Sequence, residues 1–490
     1  MKEINGMAQN NITVRRLPLR LEPDSRRTIT RFFWPGKERG QKIIQRVENL
    51  DASRVSEMAN QVLQQFTPGN PGLAEILIEH YEKAIQQAEV SFNNDFEIKL
   101  LTGAYFSMEY AFESAAMFNP SMVPAIKQPE LDQGRLRFVM SLRVVGEGHV
   151  SSITFRRGTV DREGDIQLNP CSLEVRQLKR KENRTFKKVD FIAKLGDIDI
   201  WNTQAKSVMD AFPESFSTFQ LQHTVERAKH VADSLTPDIR TLDLMLWIAH
   251  SEYEIERQDT DNIENMVLFP LSETESQGME DMRLVKFQNG DDSICYYGTY
   301  TAFNGTSILP QILELTPGKP VIVRTLHGKY ARNKGMSLFP QKIDGRYAAI
   351  GRTDGENMFL LQSDEIDFWD EATEIIRPKY DWEFVQIGNC GSPLLTDAGW
   401  LLLTHGVGAM RKYCIGAVLL DKNDPSKVLG QLREPLLSPN EEERSGYVPN
   451  VVYSCGAMIH ADNLIIPYGI SDAATGFAVI KLQELLAELT

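Results

Sequence analysis

From about residue 265 to residue 480, the chain is a series of short apolar stretches separated by polar turns. The stretches are rich in β-branched, aromatic and aliphatic residues, as in MRLVKF at 282–287, GWLLLTHGV at 399–407 and NLIIPYGI at 463–470. The turns contain Asn, Asp and Gly, as in NGDD and TDAG. Many short strands at close spacing are typical of a sandwich, a barrel or a propeller. The sequence therefore predicts a mainly β fold, and periodicity alone leaves these three architectures open.

Helical periodicity interrupts this pattern in two parts of the chain. Apolar residues recur at helical spacing over 51–66, 73–88, about 104–117 and about 217–250. Because an amphipathic helix needs a surface on which to bury its apolar face, we expect these helices to pack on each other or on the β domain. The predicted domains are a helical extension at 1–117 and a β domain at 118–490 that carries a helical insertion at about 205–262.

The charge balance and the cysteines restrict the partners and the compartment. The chain has 53 Lys and Arg against 67 Asp and Glu, a formal net charge of −14, so no nucleic-acid partner is expected. No signal-peptide core and no run of about 18 apolar residues occurs, so no membrane partner is expected. Five cysteines without a CxxC pair indicate reduced thiols and a cytoplasmic protein. We interpret the basic run at 176–188 as a solvated loop rather than a binding patch.

The segment GMEDMR at 278–283 places two adjacent carboxylates and an arginine just before a predicted strand. In an extended backbone, successive side chains point to opposite faces, so Glu280 and Asp281 are expected on opposite sides. One carboxylate would then face a cavity while the other pairs with Arg283. The simpler alternative is an ordinary ion pair in a loop.

Several further segments carry a resemblance to a known family. They are FNPSMVP at 118–124, MSLRVV at 140–145, GMEDMRLVKF at 278–287, YYGTYTA at 296–302, NKGMSLFPQKIDGRY at 333–347, IGR at 350–352, GWLLLTHGV at 399–407, IGAVLLDKNDPSKVLG at 415–430 and PYGISD at 467–472. In this order they resemble glycoside hydrolase family 130, the β-mannoside phosphorylases and β-mannosidases. The resemblance covers about 118–480, and the N-terminal helices and the 200–265 interlude lie outside the minimal family core.

The resemblance implies a five-bladed β-propeller with the active site in its central depression, and inversion at the anomeric carbon. Asp281 matches the general acid, which delivers its proton to the glycosidic oxygen through a sugar hydroxyl. Burial and the neighbouring Glu280 are expected to raise the pKa of this acid. The predicted sugar-binding residues are Asn119, Arg143, Glu280, Tyr300 and Asp472. Aromatic residues in strands are more often core residues, so Tyr300 has that alternative.

The residues that match the family's phosphate contacts decide between phosphorolysis and hydrolysis. They are Arg332, Asn333, Arg352 and His405, and Lys334 and Arg411 are expected to add positive charge, with Lys334 included among the predicted phosphate-binding residues. A guanidinium fork grips two phosphate oxygens, so this set favours an inverting phosphorylase that takes an oligosaccharide and inorganic phosphate as substrates. Gln386 departs from the pattern, because family phosphorylases commonly have a basic residue there.

Two alternatives remain open at this point. An inverting β-mannosidase would need a second carboxylate, and the candidates are Asp354, Glu356, Asp381 and Glu383. A non-catalytic propeller that binds carbohydrate is the other alternative. We expect no metal and no cofactor, because His250, His327 and His460 lack ligand spacing. His149, in a turn near Arg143, is a further candidate for the pocket lining. The apolar helix faces are compatible with a homo-oligomer.

Overall fold

The computed structural model describes residues 12–70, 72–128, 131–132, 134–178, 180–181, 184–230, 238–255 and 263–490 of the chain. Residues 1–11 of the predicted extension, Lys179 of the basic run, and residues 231–237 and 256–262 of the predicted insertion lie outside this description. The described residues form a mainly β protein, and the strands predicted between 265 and 480 are confirmed.

Most strands belong to five four-stranded antiparallel units, which we number in chain order by their first strands. Unit one contains Ala116–Pro124, Leu136–Val145, Ser151–Val160 and Ile166–Leu168, and unit two contains Gly278–Gln288, Ile294–Phe303, Ile308–Leu315 and Val321–Thr325. Unit three contains Ser337–Leu338, Tyr347–Gly351, Met358–Ser363 and Glu371–Ile376, and unit four contains Gln386–Asn389, Trp400–Val407, Tyr413–Leu420 and Val428–Gln431. Unit five contains Val452–Tyr453, Asn463–Ile470, Ala474–Lys481 and Val14–Arg16.

Shorter strands extend or connect these units. Leu394–Leu395 is added to unit four and Met458–His460 to unit five. Units one and two share a twelve-stranded sheet, which also includes Arg176–Gln177, Arg180–Lys181, Tyr253–Ile255 and Met266–Leu268. Two separate two-stranded sheets pair Thr28–Phe32 with Ser107–Ala111 and Thr185–Lys187 with Ser215–Ser217.

Consecutive units contact each other at or beside their first strands. The amide of Leu284 in unit two donates to Ser121 Oγ in unit one at 2.9 Å. The amide of Gln288 donates to the carbonyl of Pro340, beside unit three, at 2.9 Å. Ser337 Oγ in unit three donates to the carbonyl of Gly391, beside unit four, at 2.8 Å.

The contacts continue from unit four to unit five and back to unit one. Gly391 lies so close to unit five that an added Cβ would be 2.3 Å from the carbonyl oxygen of Cys455. The amide of Cys455 in turn donates to the carbonyl of Pro120 in unit one at 2.8 Å. These contacts at or beside the first strands therefore form a continuous series that runs from unit one to unit five and returns to unit one.

The outer strand of unit five comes from the beginning of the chain. Val14 to Arg16 pair antiparallel with Ile480 to Ala478, so the first described strand completes a sheet made otherwise of the last ones. Arg16 forms an ion pair with Glu443 at 3.0 Å, and the hydroxyl of Tyr468 donates to the same carboxylate at 2.6 Å. These contacts join the two ends of the described chain.

The helices lie in two groups and at the C-terminus. The first group is Lys37–Glu48, Ala52–Phe66, Leu73–Ala88 and Phe96–Tyr105, the second is Lys188–Asp197, Thr203–Asp210, Thr218–His230 and Ile239–Ser251, and the last helix is Leu482–Ala487. Asp51 caps its helix by accepting from the amide of Arg54 at 2.9 Å. None of the described helices is long and apolar enough to cross a membrane.

The helix predicted at about 104–117 is wrong. The helix begins earlier, because Asp95 accepts a hydrogen bond from the amide of Ile98 and caps it, and it ends at Tyr105. Ser107 to Ala111 then form a strand, because Thr28–Phe32 is available as a pairing partner. The long-range pairing overrides a local preference for helix. Residues 1–117 are accordingly not purely helical, since they also contain Val14–Arg16.

The helical insertion begins at Lys188, before the predicted start at about 205. It has an apolar core of its own, which includes Phe191, Leu195 and Met245. Arg184, from the basic run, forms an ion pair with buried Glu252 at 3.1 Å, and Lys181 pairs with Glu254 at 3.3 Å. These basic residues thus neutralise acidic residues of the same chain.

A buried ion triad fastens the N-terminal segment to unit one. The guanidinium groups of Arg27 and Arg156 contact the two oxygens of the Glu113 carboxylate at 2.7 and 2.8 Å. The side chains of Arg27 and Glu113 are both completely buried. Arg27 also donates to the backbone carbonyls of Ser172 and Glu264, so four distant segments meet at one side chain.

Replacing Arg27 with alanine is expected to destabilise the protein strongly, because the Glu113 carboxylate would lose one of its two buried partners. Removing one member of a buried ion pair costs about 3–5 kcal/mol. Thermal unfolding followed by circular dichroism measures this as a fall of several degrees in the midpoint. The neighbouring Arg26→Ala is the control, since Arg26 is 74% exposed in its pair with Asp24. Equal midpoints for the two variants would contradict the structural role of the triad.

Candidate active site

An ion cluster centred on Arg143 occupies the central region beside units one and two. Arg143 Nη2 contacts Glu280 Oε1 at 2.8 Å, and Arg143 Nη1 contacts Asp281 Oδ1 at 3.1 Å. Asn119 Nδ2 donates to the same Asp281 oxygen at 2.8 Å. Lys334 Nζ forms an ion pair with the second oxygen of Glu280. Four residues predicted from sequence as sugar or acid groups, and one predicted phosphate ligand, are thus in direct contact.

The prediction that Glu280 and Asp281 point to opposite sides is wrong. The strand register shifts between Glu280 and Arg283, and Asp281 has a left-handed backbone with φ of 54°. Such a bulge interrupts the alternation of side chains, so both carboxylates reach the same guanidinium. Arg283 Nη1 donates to the backbone carbonyl of Asp281 at 3.0 Å and holds the bulge from inside.

Left-handed backbone at residues other than glycine recurs through this part of the molecule. The positions with positive φ beside the central region include Asn119, Asp281, Asn333, Met410, Arg411, Ser471 and Asp472. A left-handed conformation costs free energy for most residues, and such residues concentrate at functional sites where the surrounding structure enforces them. Three predicted site residues besides Asp281 belong to this set.

A second cluster lies on the side of units three and four. Arg352 Nη1 lies 3.3 Å from Nε2 of buried His405, and His405 Nδ1 lies 3.3 Å from the carbonyl oxygen of Asn389. Burial, and then the charge of Arg352, hold the pKa of His405 well below its ordinary value. A neutral imidazole that donates from Nδ1 accepts at Nε2, so His405 orients the guanidinium of Arg352.

Arg283 and Tyr453 connect the two clusters. Arg283 Nη2 donates to the hydroxyl of Tyr453 at 2.5 Å, and the Tyr453 ring packs edge-on against His405 with 4.9 Å between ring centroids. Arg283 therefore touches the bulge that carries Asp281 through one nitrogen and the His405 side through the other. Sequence reasoning missed Tyr453 and this role of Arg283, because the short strand Val452–Tyr453 has no motif that marks it.

The region has buried donors that lack acceptors within the described part of the chain. They are the Nε atoms of Arg143, Arg283 and Arg352. A buried N–H without a partner is costly, so such donors favour an anion or a hydroxyl-rich ligand at this place. The described residues contain no group of three or more His, Cys, Asp or Glu that could hold a metal ion.

The carboxylates of the region differ in their proton affinity. Burial opposes the charge on Asp281, but the guanidinium groups of Arg143 and Arg283 outweigh burial and lower the pKa of Asp281. The predicted raised pKa at Asp281 is therefore wrong for the ligand-free site. Burial and the charge of Asp281 instead raise the pKa of Asp472 to about 6. As the pH falls, Asp472 therefore takes up a proton before Asp281 does.

Three further residues predicted to bind phosphate or sugar lie outside the two clusters. Asn333 Nδ2 would lie 2.9 Å from a Cβ built on Gly355, so Asn333 packs against the turn that follows Arg352. Arg332, the preceding residue, is exposed. The predicted sugar contact of Tyr300 is wrong. Tyr300 is a core residue, 3% exposed, and its hydroxyl donates to Glu275 at 2.7 Å.

Two of the carboxylates considered for hydrolysis have structural partners. Asp354 accepts hydrogen bonds from the amides of Glu356 and Asn357 at 2.9 and 2.8 Å and closes a turn. Glu383 accepts from the amide of Lys379 at 2.9 Å and from Gln431 Nε2 at 2.8 Å. These contacts account for both side chains without a catalytic role.

Comparison with known proteins agrees with the family resemblance of the sequence motifs. The family model of glycoside hydrolase family 130, described as β-1,4-mannooligosaccharide phosphorylase, matches residues 243–490. A 1,2-β-oligomannan phosphorylase of Thermoanaerobacter sp. is 35% identical over 218 residues, which are 44% of this chain and 72% of that protein. A β-1,4-mannooligosaccharide phosphorylase of Ruminococcus albus is 33% identical over 166 residues, 31% of this chain and 50% of that protein.

Solved structures are similar at lower identity. The β-1,2-mannobiose phosphorylase of Listeria innocua, in complex with β-1,2-mannobiose, is 20% identical and matches 78% of this chain and 93% of its own with a TM-score of 0.45. A family 130 glycoside hydrolase that targets β-1,2-mannosidic linkages in Candida mannan is 18% identical and matches 76% of this chain and 86% of its own with a TM-score of 0.42.

Replacing Asp472 with asparagine is expected to stabilise the ligand-free protein at neutral pH. The pKa of Asp472 is raised to about 6 in the folded protein, so its carboxylate lowers the free energy of unfolding once the pH exceeds the pKa of this group in the unfolded chain. Below both pKa values Asp472 is protonated in the folded and in the unfolded state, so it does not lower the free energy of unfolding. The variant should therefore gain about 1–3 kcal/mol over wild type between about pH 4 and pH 7. Denaturant unfolding at several pH values measures the difference. Asp364→Asn, at a side chain that is 84% exposed, should show no such trend, and a flat difference for Asp472→Asn would contradict the raised pKa.

Proposed function

The chain belongs to glycoside hydrolase family 130, and on this basis we propose that it is an inverting phosphorylase of β-mannosides. It would cleave a mannosyl residue from an oligosaccharide with inorganic phosphate and give α-mannose 1-phosphate and a shortened acceptor. The single observation that carries the proposal is the meeting of the Asp281 cluster and the Arg352 cluster, bridged by Arg283 and Tyr453. One cluster supplies an acid and groups for sugar hydroxyls, and the other supplies the Arg352 cation, which would bind phosphate together with Arg283.

The departing glycosidic oxygen is a poor leaving group until it is protonated, and Asp281 is the proposed proton source. In the ligand-free site, neighbouring cations lower the pKa of Asp281. A phosphate bound between Arg283 and Arg352 would offset part of this positive charge and raise the pKa of Asp281. Phosphate binding and loading of the acid would thereby be coupled, so that Asp281 carries its proton when the nucleophile is present.

Phosphate would attack the anomeric carbon from the face opposite the departing oxygen. A phosphate oxygen forms the new bond to this carbon as the bond to the glycosidic oxygen breaks, and that oxygen receives the proton of Asp281 through a sugar hydroxyl. Arg352 offers a planar fork whose Nε is buried and unpartnered within the described residues, and His405 holds its orientation. Asn119, Arg143 and Asp472 would hold the hydroxyls of the mannosyl unit.

An inverting β-mannosidase on the same scaffold remains the second candidate, because Gln386 replaces a cation that family phosphorylases commonly have. A hydrolase would need a carboxylate to activate water across the site from the acid. The hydrogen bonds of Asp354 and Glu383 to nearby backbone amides favour structural roles for both. The balance of these observations favours phosphorolysis.

The proposal also includes the fold, the co-substrate and the cellular location. We infer that the five units form a five-bladed β-propeller, because each unit contacts the next and unit five contacts unit one. Inorganic phosphate would be a co-substrate, and no further cofactor is required. A cytoplasmic location is compatible with the five cysteines, none of which forms a disulfide.

The experiment that tests the function is cleavage of β-1,2- and β-1,4-mannobiose with and without inorganic phosphate. Turnover is expected only with phosphate, since the site provides a cradle for this nucleophile. Release of free mannose at the same rate in phosphate-free buffer would overturn the phosphorylase proposal and favour the mannosidase.

Asp281→Asn is expected to reduce turnover by at least about a hundredfold, the lower range for loss of a general acid, while mannobiose still binds. Steady-state kinetics and calorimetric binding to the same variant measure both quantities. Asp354→Asn is the matched control, since Asp354 only closes an exposed turn, and it should keep nearly full activity. Loss of turnover in Asp354→Asn with retention in Asp281→Asn would exchange the two roles.

A further inference from the structure

Two aromatic rings that the proposed chemistry does not use stack on each other beside the central region. The rings of His149 and Tyr447 have centroids 5.9 Å apart and planes inclined by 25°. His149 lies between the second and third strands of unit one, and Tyr447 lies between units four and five. Tyr447 is nevertheless 72% exposed, so most of its surface is open to solvent.

The loop that carries Tyr447 is fixed to the residue that precedes Asp472 in the chain. The amide of Val448 donates to the carbonyl of Ser471 at 2.9 Å. Gly446 packs so closely that an added Cβ would lie 2.6 Å from the Cβ of Ser471. Both chain neighbours of Tyr447 therefore contact Ser471, which directly precedes Asp472.

The loop that carries His149 follows the strand of Arg143 directly, because this strand ends at Val145. The hydroxyl of Tyr110 donates to the carbonyl of Glu147 in this loop at 2.7 Å. His149 itself has a left-handed backbone with φ of 61°, which directs the chain back into the next strand. The stacked pair thus lies on one loop that follows the Arg143 strand and on one loop that contacts the residue before Asp472.

Exposed aromatic residues that stand alone need no explanation, but this pair is anchored on two units and adjoins a polar site. A sugar ring presents an apolar face of C–H groups, for which an aromatic face with a free side is a good partner. The mannosyl unit would be held by Arg143 and Asp472, so the next sugar of the oligosaccharide must lie outside these residues. The His149–Tyr447 pair is an aromatic surface carried by the loop that follows the Arg143 strand and by the loop that contacts Ser471, the neighbour of Asp472 in the chain.

We infer that the His149–Tyr447 pair is the binding platform for the second sugar of the β-mannoside, the one that departs as the acceptor. This inference rests on the proposed function, because it presumes that Arg143 and Asp472 hold a mannosyl unit. A pyranose ring would bind against the exposed face of the Tyr447 ring. The platform would supply affinity for the departing sugar without taking part in proton or phosphate transfer.

The test measures binding of mannose, β-1,2-mannobiose and β-1,4-mannobiose to the full chain without phosphate, by calorimetry. Tyr447→Ala is expected to weaken binding of the preferred mannobiose about tenfold and to leave mannose binding unchanged, because only the second sugar loses its partner. Tyr447→Phe keeps the ring and should bind as wild type does. Phe92→Ala removes a ring that is 63% exposed among the N-terminal helices and should also have no effect.

Three results would overturn the platform. They are equal affinity of wild type for mannose and both mannobioses, unchanged mannobiose affinity in Tyr447→Ala, and an equal loss for mannose and mannobiose in that variant. A change in oligomeric state of Tyr447→Ala by light scattering, with sugar affinity unchanged, would assign the ring to a subunit interface instead. Failure of the proposed function has a different signature, since wild type would then show no phosphate-dependent turnover while the binding difference persisted.

Discussion

The concentration of opposite charges around Asp281 is the constraint on which the rest of this structure depends. Arg143, Arg283 and Arg352 bring three guanidinium groups there, and Glu280 and Asp281 supply carboxylates against them. Buried charges are tolerated only when they are paired and hydrogen-bonded, so the surrounding strands must hold each group within narrow limits. The bulge at Asp281 and the edge-on packing of Tyr453 against His405 are the means by which they do so.

Local patterns in the sequence predicted those elements that depend on local physics. The strands from residue 265 onward and the capped helix that begins after Asp51 follow from alternation and capping, and both are present. The helix predicted at about 104–117 failed because Ser107–Ala111, within that window, find a strand partner some 80 residues earlier, at Thr28–Phe32. No local pattern contains that information.

The site itself was predicted in its members but not in its geometry. Motif order identified Glu280, Asp281, Arg143 and Asn119, and the structure brings these four residues into contact. A bulge, however, places one of the two carboxylates on the side opposite to the expected one. The pKa of Asp281 depends on guanidinium groups from other strands, so its direction could not be inferred from its neighbour in sequence alone. The net charge of −14 makes the same point, because the cationic cluster is a local exception created by folding.

Calorimetric titration of inorganic phosphate into the protein tests whether the cluster that contains Arg283 and Arg352 is an anion site for phosphate. We expect saturable binding of one phosphate per chain in wild type and its loss in Arg352→Ala. Binding should be unchanged in Arg346→Ala, where the guanidinium pairs with Glu371 at the surface. Absence of phosphate binding in wild type, or undiminished binding in a folded Arg352→Ala variant, would show that the cluster is not a phosphate site.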